Sequence, residues 1–169
     1  MTHWVFGYGS LIWRPDFAYR ERAPARIQGW ARRFWQGSHD HRGLPHAPGR
    51  VVTLVPMADE VCEGVGYLIE EDVFAHLDER EKNGYVRHEV ALEFKMQSQA
   101  HGVVYIAPQD NHAFLGPVPP DEMAAHIHGS AGPSGRNRDY LLELAAALRE
   151  LGAHDEHVFD LERRVKLLD

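Results

Sequence analysis

Trp4-Val5-Phe6-Gly7-Tyr8-Gly9-Ser10-Leu11 opens the chain with three large apolar side chains and then two glycines around a tyrosine. The apolar run reads as a β-strand, and the glycines let the backbone turn tightly at its end. Working outward, Ala25 to Trp35 alternates well enough for a second strand, and a His/Pro/Gly-rich loop follows between Gly37 and Gly49. Arg50 to Val55 and Val61 to Ile69 are two more β-rich stretches, with Ala58-Asp59-Glu60 as a polar turn between them. Glu70-Glu71-Asp72 places acidic residues where a helix start favours them, and that helix runs to Lys82 and stops at Asn83-Gly84. Tyr85 to Met96 and Ala100 to Ala107 give two further strands. The last third is helical: Asp121 to His128, Arg136 to Leu151 and Glu156 to Leu168, with Ser134 or a neighbour capping the second of these. Strands in succession followed by clustered helices predict an α+β fold, with a small, mostly antiparallel sheet closed as a barrel and helices beside it. A doubly wound parallel sheet would need strands and helices to alternate, and they do not.

The 169 residues fit one domain, spanning 1–169, with a core large enough to fold alone. Acidic residues outnumber basic ones, 25 to 18, for a net charge of −7, which argues against a nucleic-acid partner. The one cysteine, Cys62, rules out an internal disulfide framework. Met1-Thr2-His3-Trp4 runs straight into the first strand pattern, so no secretory leader is expected. The apolar runs are too short to span a bilayer. A cytoplasmic protein is expected.

Three places carry possible chemistry. After a strand, the Gly7–Leu11 turn can converge backbone N–H groups on an anion, or it can be a tight turn with no ligand. No Gly-Lys-Ser/Thr follows, so it is not a phosphate P-loop. On the helix that begins near Glu70, the i, i+3, i+7 spacing of Phe74, Leu77 and Glu81 puts all three on one side. Glu81 is then either a carboxylate at the edge of a buried face, with its pKa raised by lost water, or a solvated charge beside Arg80 and Lys82. Tyr140 shares the apolar side of its helix with Leu144 and Leu148, as a core ring or as a substrate-facing hydroxyl. The histidines make a poor metal set. His39, His41 and His46 sit in a Pro/Gly loop, and His126 and His128 are alternate residues on a helix that do not converge. Cys62 lies in an apolar strand pattern and reads as a small buried hydrophobe.

Four segments together resemble the ChaC family of γ-glutamyl cyclotransferases. They are Val5–Phe17, Gly37–Gly43, Arg80-Glu81-Lys82-Asn83-Gly84-Tyr85, and Gly132–Leu141, spread over nearly the whole chain. The Tyr-Gly-Ser-Leu turn in combination with Arg-Glu-Lys-x-Gly-Tyr is the specific part; Asn83 stands where some members have glycine. The resemblance implies a compact barrel with flanking helices and γ-glutamyl peptides as substrates, glutathione first. It implies that Glu81 is the catalytic acid/base, that Tyr8, Gly9, Ser10 and Leu11 hold the γ-glutamyl group, and that Tyr140 lies near that pocket. The implied reaction is an intramolecular aminolysis giving 5-oxoproline and cysteinylglycine, a lyase reaction that needs no cofactor and no metal. The implied partner is thus a small molecule, with no nucleic acid and no membrane. A cyclotransferase for other γ-glutamyl amines, or a non-catalytic γ-glutamyl-binding regulator of cation transport, is the alternative.

Overall fold

The computed structural model describes residues 1–80 and 85–169. Its first strand, β1 (Thr2–Gly7), buries Val5 and Phe6 completely or nearly so, consecutive residues that point to opposite faces, so both faces are covered there. β1 runs antiparallel to β3 (Gly49–Glu70), pairing Val5 with Tyr67, and parallel to β5 (Gln99–Ile106), pairing Val5 with Val103. β5 is antiparallel to β4 (Val86–Glu93) from Ile106↔Val86 to Gln99↔Glu93. β4 in turn pairs with β2 (Glu21–Ser38) at Arg26↔Glu93. The order β1-β3-β2-β4-β5 closes on itself, so the expected barrel forms, with one parallel seam between β1 and β5. Closure leaves none of these five strands as an unpaired edge.

Chain contacts divide the molecule into two compact units. The first holds residues 1–31 and 54–108 and contains β1, β4, β5, α1 (Glu71–Arg80) and the outer parts of the two long strands. Its core includes Val5, Phe6, Ile27, Leu54, Val65, Tyr67, Ile69 and Leu92. The second holds residues 32–53 and 109–169, with α2 (Pro120–Gly129), α3 (Asn137–Glu150) and α4 (Glu156–Lys166) packed on one another. Phe34, Ile127, Leu141, Leu144, Leu148, Val158, Leu161 and Val165 form its core. α4 starts where Asp155 accepts a hydrogen bond from the Val158 N–H, a capping bond that satisfies one orphan amide of the first turn. Among the described residues no helix is long and apolar enough to cross a membrane.

Three local expectations change. The stretches 50–55 and 61–69 belong to one continuous β3, and Asp59 sits in the left-handed region (φ 71°) where a chain-ending turn is expected. Aspartate tolerates that conformation, so the strand continues through it. Ser134 does not cap α3. Arg136 holds that position with no side-chain bond, and Ser134 instead lies in the turn joining β6 (Ala131–Gly132) to β7 (Gly135–Arg136). Its hydroxyl meets His41 Nδ1 at 3.0 Å. α1 ends at Arg80, and the stop expected at Asn83-Gly84 lies outside the described residues.

Candidate active site

The turn after β1 is built by close approach. Gly7 ends the strand, and a Cβ there would lie 3.0 Å from Leu11 Cβ and 3.4 Å from the Tyr67 ring. A side chain there would press on both neighbours, so glycine lets the chain fold back tightly. Gly9 then precedes a 3₁₀ turn, Ser10–Ile12, closed by Ile12 N–H to the Gly9 carbonyl (2.9 Å) and Arg14 N–H to the Ser10 carbonyl (2.7 Å). Tyr8 is buried, and its hydroxyl donates to the Tyr105 carbonyl at 2.8 Å. Ser10 is exposed. The sequence expectation of a glycine-punctuated turn is therefore met in the backbone of Gly7 to Ile12.

Two side chains that sequence reasoning did not single out hold the far end of this turn. The Tyr67 hydroxyl donates to the Leu11 carbonyl at 2.5 Å, and Arg22 Nη2 donates to the Ile12 carbonyl at 2.8 Å. Val65, Tyr67 and Ile69, at period two on β3, are each 0 % exposed, so Tyr67 points into the core. Burial raises the Tyr67 phenol above its ordinary pKa, with nearby Arg22 opposing and Tyr19 adding to the rise. The ring therefore stays a hydroxyl donor at neutral pH. A signal for it was present in the sequence: a tyrosine at a core-facing strand position needs a partner for its hydroxyl.

α1 is the other element of the first unit that matters. As predicted, Phe74 and Leu77 face inward, at 9 % and 2 % exposed. The Phe74 ring stacks on His3 (centroids 4.2 Å apart), with the Arg87 guanidinium 5.2 Å from its centroid. One turn on, Asp78 accepts from the Tyr105 hydroxyl (3.2 Å) and from Arg87 (3.4 Å). Tyr105 thus ties the Tyr8 side chain, through its carbonyl, to the last turn of α1, through its hydroxyl. Glu81, the residue after α1, lies outside the described residues.

Tyr140 belongs to the second unit, in the first turn of α3. Its ring meets Phe34 edge-on with centroids 5.8 Å apart, and the Arg42 guanidinium lies 5.7 Å from its centroid. Its hydroxyl oxygen accepts from the Val52 N–H at 3.4 Å. Three residues earlier, Asn137 is fully buried and bonds Arg50 twice, accepting from its N–H and donating to its carbonyl, each at 2.8 Å. α3 thereby uses i and i+3 side chains to satisfy alternate residues of β3.

The histidines have separate tasks. His39 Nδ1 lies 3.3 Å from the Pro45 carbonyl, and His128 meets Asp169 at 3.1 Å. His126 sits between Arg50 Nε (3.1 Å) and the Pro48 carbonyl (2.7 Å). Among the described residues no group of three or more His, Cys, Asp or Glu side chains is placed to hold a metal ion. Cys62 is buried, at 3 % exposed.

Set against known proteins, residues 3–168 match the family model described as ChaC-like protein. Gamma-glutamylcyclotransferase 2-3 of Arabidopsis thaliana is 47 % identical over 180 residues, covering 98 % of this chain and 89 % of that protein. The glutathione-specific gamma-glutamylcyclotransferase of Saccharomyces cerevisiae is 39 % identical, covering 88 % of this chain and 86 % of its own. A crystal structure of the yeast γ-glutamyl cyclotransferase specific to glutathione superposes with a TM-score of 0.89 at 35 % identity, over 98 % of this chain and 96 % of that one.

Proposed function

The chain belongs to the ChaC-like protein family, and from that membership we propose that it is a glutathione-specific γ-glutamyl cyclotransferase, releasing 5-oxoproline and cysteinylglycine. The observation that carries the substrate is the yeast glutathione-specific relative, similar over most of both chains in sequence and in solved structure. The tightly folded Gly7–Ile12 turn supports it, since a rigid backbone cradle is what a cyclisation needs.

In this reading the α-amino nitrogen of the substrate's γ-glutamyl residue attacks its own γ-carbonyl carbon. A C–N bond to that nitrogen forms and closes the lactam, while the γ-amide C–N bond breaks. Glu81 takes the proton shed by the attacking amine and returns it to the departing cysteinylglycine nitrogen, base first and acid second. Backbone N–H groups of Gly9, Ser10 and Leu11, with Tyr8 beside them, grip the α-carboxylate and hold the cyclisation-ready conformer. Tyr140 contributes to substrate binding. No water is consumed and no electron moves, so the chemistry asks for neither metal nor nucleotide. We assign the work to one domain spanning 1–169, and to the cytoplasm, where glutathione keeps thiols reduced. Incubation with glutathione tests the reading: equal amounts of 5-oxoproline and cysteinylglycine support it, and free glutamate contradicts it.

A second reading widens the substrate to other γ-glutamyl amines. It is favoured by one observation: the Arabidopsis relative, 47 % identical, is named for the γ-glutamyl group alone. Comparable kcat/KM for glutathione and for γ-glutamyl dipeptides without cysteine would establish it.

A further inference from the structure

We propose that Tyr67, assisted by Arg22, is a positioning residue for the Gly9–Ile12 turn, holding its carbonyl end so that its amide end is presented in one fixed arrangement. The proposal rests on the reading of that turn as the γ-glutamyl cradle. Both residues belong to the same unit as the turn.

The geometry is specific. A three-residue 3₁₀ turn cannot satisfy its own last carbonyls, which must find water or a side chain. Here Leu11 and Ile12, consecutive residues, each receive one donor, from the Tyr67 hydroxyl and from Arg22. Tyr67 is pinned on several sides. β3 pairs it with Val5, two residues before Gly7, and its ring lies 3.4 Å from where a Gly7 Cβ would be. Phe17 and Tyr19 meet it edge-on at 5.3 and 5.1 Å, and the Arg22 guanidinium lies 5.6 Å from its centroid. The hydroxyl therefore has one place to be, set by the barrel core. Arg22 reaches the adjacent carbonyl from β2, so two strands locate one turn. Donors at the carbonyl end also polarise the turn's amides toward an anion, because hydrogen bonds in series strengthen one another.

The substrate's γ-glutamyl group stays in the cradle from binding through cyclisation. Loosening the cradle mainly removes binding shared by ground and transition states, which raises KM, and lowers kcat only as far as the cyclisation-ready conformer is lost. A proton carrier behaves the opposite way, and that split separates positioning from catalysis.

Tyr67→Phe removes only the hydroxyl. The expected result is a KM for glutathione raised ~10-fold, the worth of one buried hydrogen bond, with kcat within ~3-fold. Native-state hydrogen exchange at the Ile12, Trp13 and Arg14 amides should quicken at least ~10-fold, with amides elsewhere in the barrel unchanged. Arg22→Met, which removes the donor, should do the same more weakly, and Arg22→Lys, which keeps a donor, should restore most of the loss. If Tyr67→Phe fails to fold, Arg22→Met and its lysine rescue decide alone. A folded Tyr67→Phe protein with unchanged exchange in the turn and unchanged KM overturns the proposal. So does one that only melts earlier. If the wild type does not act on glutathione, the functional reading falls, and the exchange measurement still decides whether Tyr67 positions the turn.

Discussion

The two units tie their backbones together by different means. In the first, tyrosine hydroxyls are prominent, Tyr8 onto the Tyr105 carbonyl, Tyr67 onto Leu11 and Tyr105 onto Asp78, with Arg22 beside them on the Ile12 carbonyl. In the second the ties are ionisable and amide side chains: Arg32 on Asp155, Arg50 on the Phe34 and Gly116 carbonyls, Asn137 on Arg50, and His157 accepting from the Phe34 N–H. A phenol whose pKa is pushed above 10 does not titrate near neutrality, whereas an imidazole that must accept a hydrogen bond fails once protonated. The Tyr67 tie of the first unit therefore keeps its donor near neutrality, and the second unit carries an acid-sensitive joint at His157.

The largest effect that this contrast predicts is chemical and is borne by the first unit. Glu81→Gln should cut kcat by ~10⁴-fold or more, at the top of the range for general acid–base catalysis, because one carboxylate serves both proton transfers. KM, melting temperature and circular dichroism should stay near wild type. Retained turnover would remove Glu81 from the mechanism and leave the first unit with only a binding role.

The next effect is structural and sits in the second unit. Asn137→Ala strands a buried N–H and a buried carbonyl of Arg50, each costing about 1–3 kcal/mol, for a total of about 2–6 kcal/mol. Urea unfolding reads this directly. A loss below that of an ordinary surface substitution would mean that the amide ties contribute little and that the contrast between the units is overdrawn.

Acid should find His157. Burial first, then the neighbouring Arg33 and Arg32, lower its pKa from 6.5 to about 4, against the opposing pull of Asp155 and Asp160. Between those values the unfolded chain takes up a proton that the folded one refuses, so stability is complete above pH 6.5 and drains away as pH falls toward 4. The shift corresponds to about 3 kcal/mol. His157→Gln should flatten the stability profile over that interval. An unaltered slope would assign the acid sensitivity to other groups.

Much of this arrangement was legible in the chain before folding. The apolar run before Gly7 marked β1, the alternation of Ala25 to Trp35 marked β2, and the i, i+3 pair Phe74 and Leu77 marked the inner face of α1. Periodicity tells which side is buried but not what a buried polar atom will meet. That is why Tyr67, Tyr105 and Arg22 escaped notice, although all three determine where the turn sits. Asp59 misled for a related reason. A polar triplet signals a turn, but a strand can continue through a single left-handed residue. Ser134 looked like a helix cap by residue type, and the β6–β7 turn used its hydroxyl for His41 instead. In the second unit, the roles of Asn137 and His157 were not legible because their partners lie on β3 and β2, far away in sequence.

The smallest predicted effect concerns Tyr140. Tyr140→Phe should lower kcat/KM by ~10-fold, near the worth of one hydrogen bond to a charged group. A change in unfolding midpoint alone, with kinetics untouched, would make it a packing residue for Phe34 and Val52 only.

In the proposed reaction the γ-amide is broken by the substrate's own amine. Turnover of glutathione in ¹⁸O-labelled water, with products resolved by mass spectrometry, tests it most directly. Cyclisation predicts 5-oxoproline free of ¹⁸O and equal in amount to cysteinylglycine. Glutamate carrying one ¹⁸O in its γ-carboxylate would show that water attacks instead, and would contradict the account.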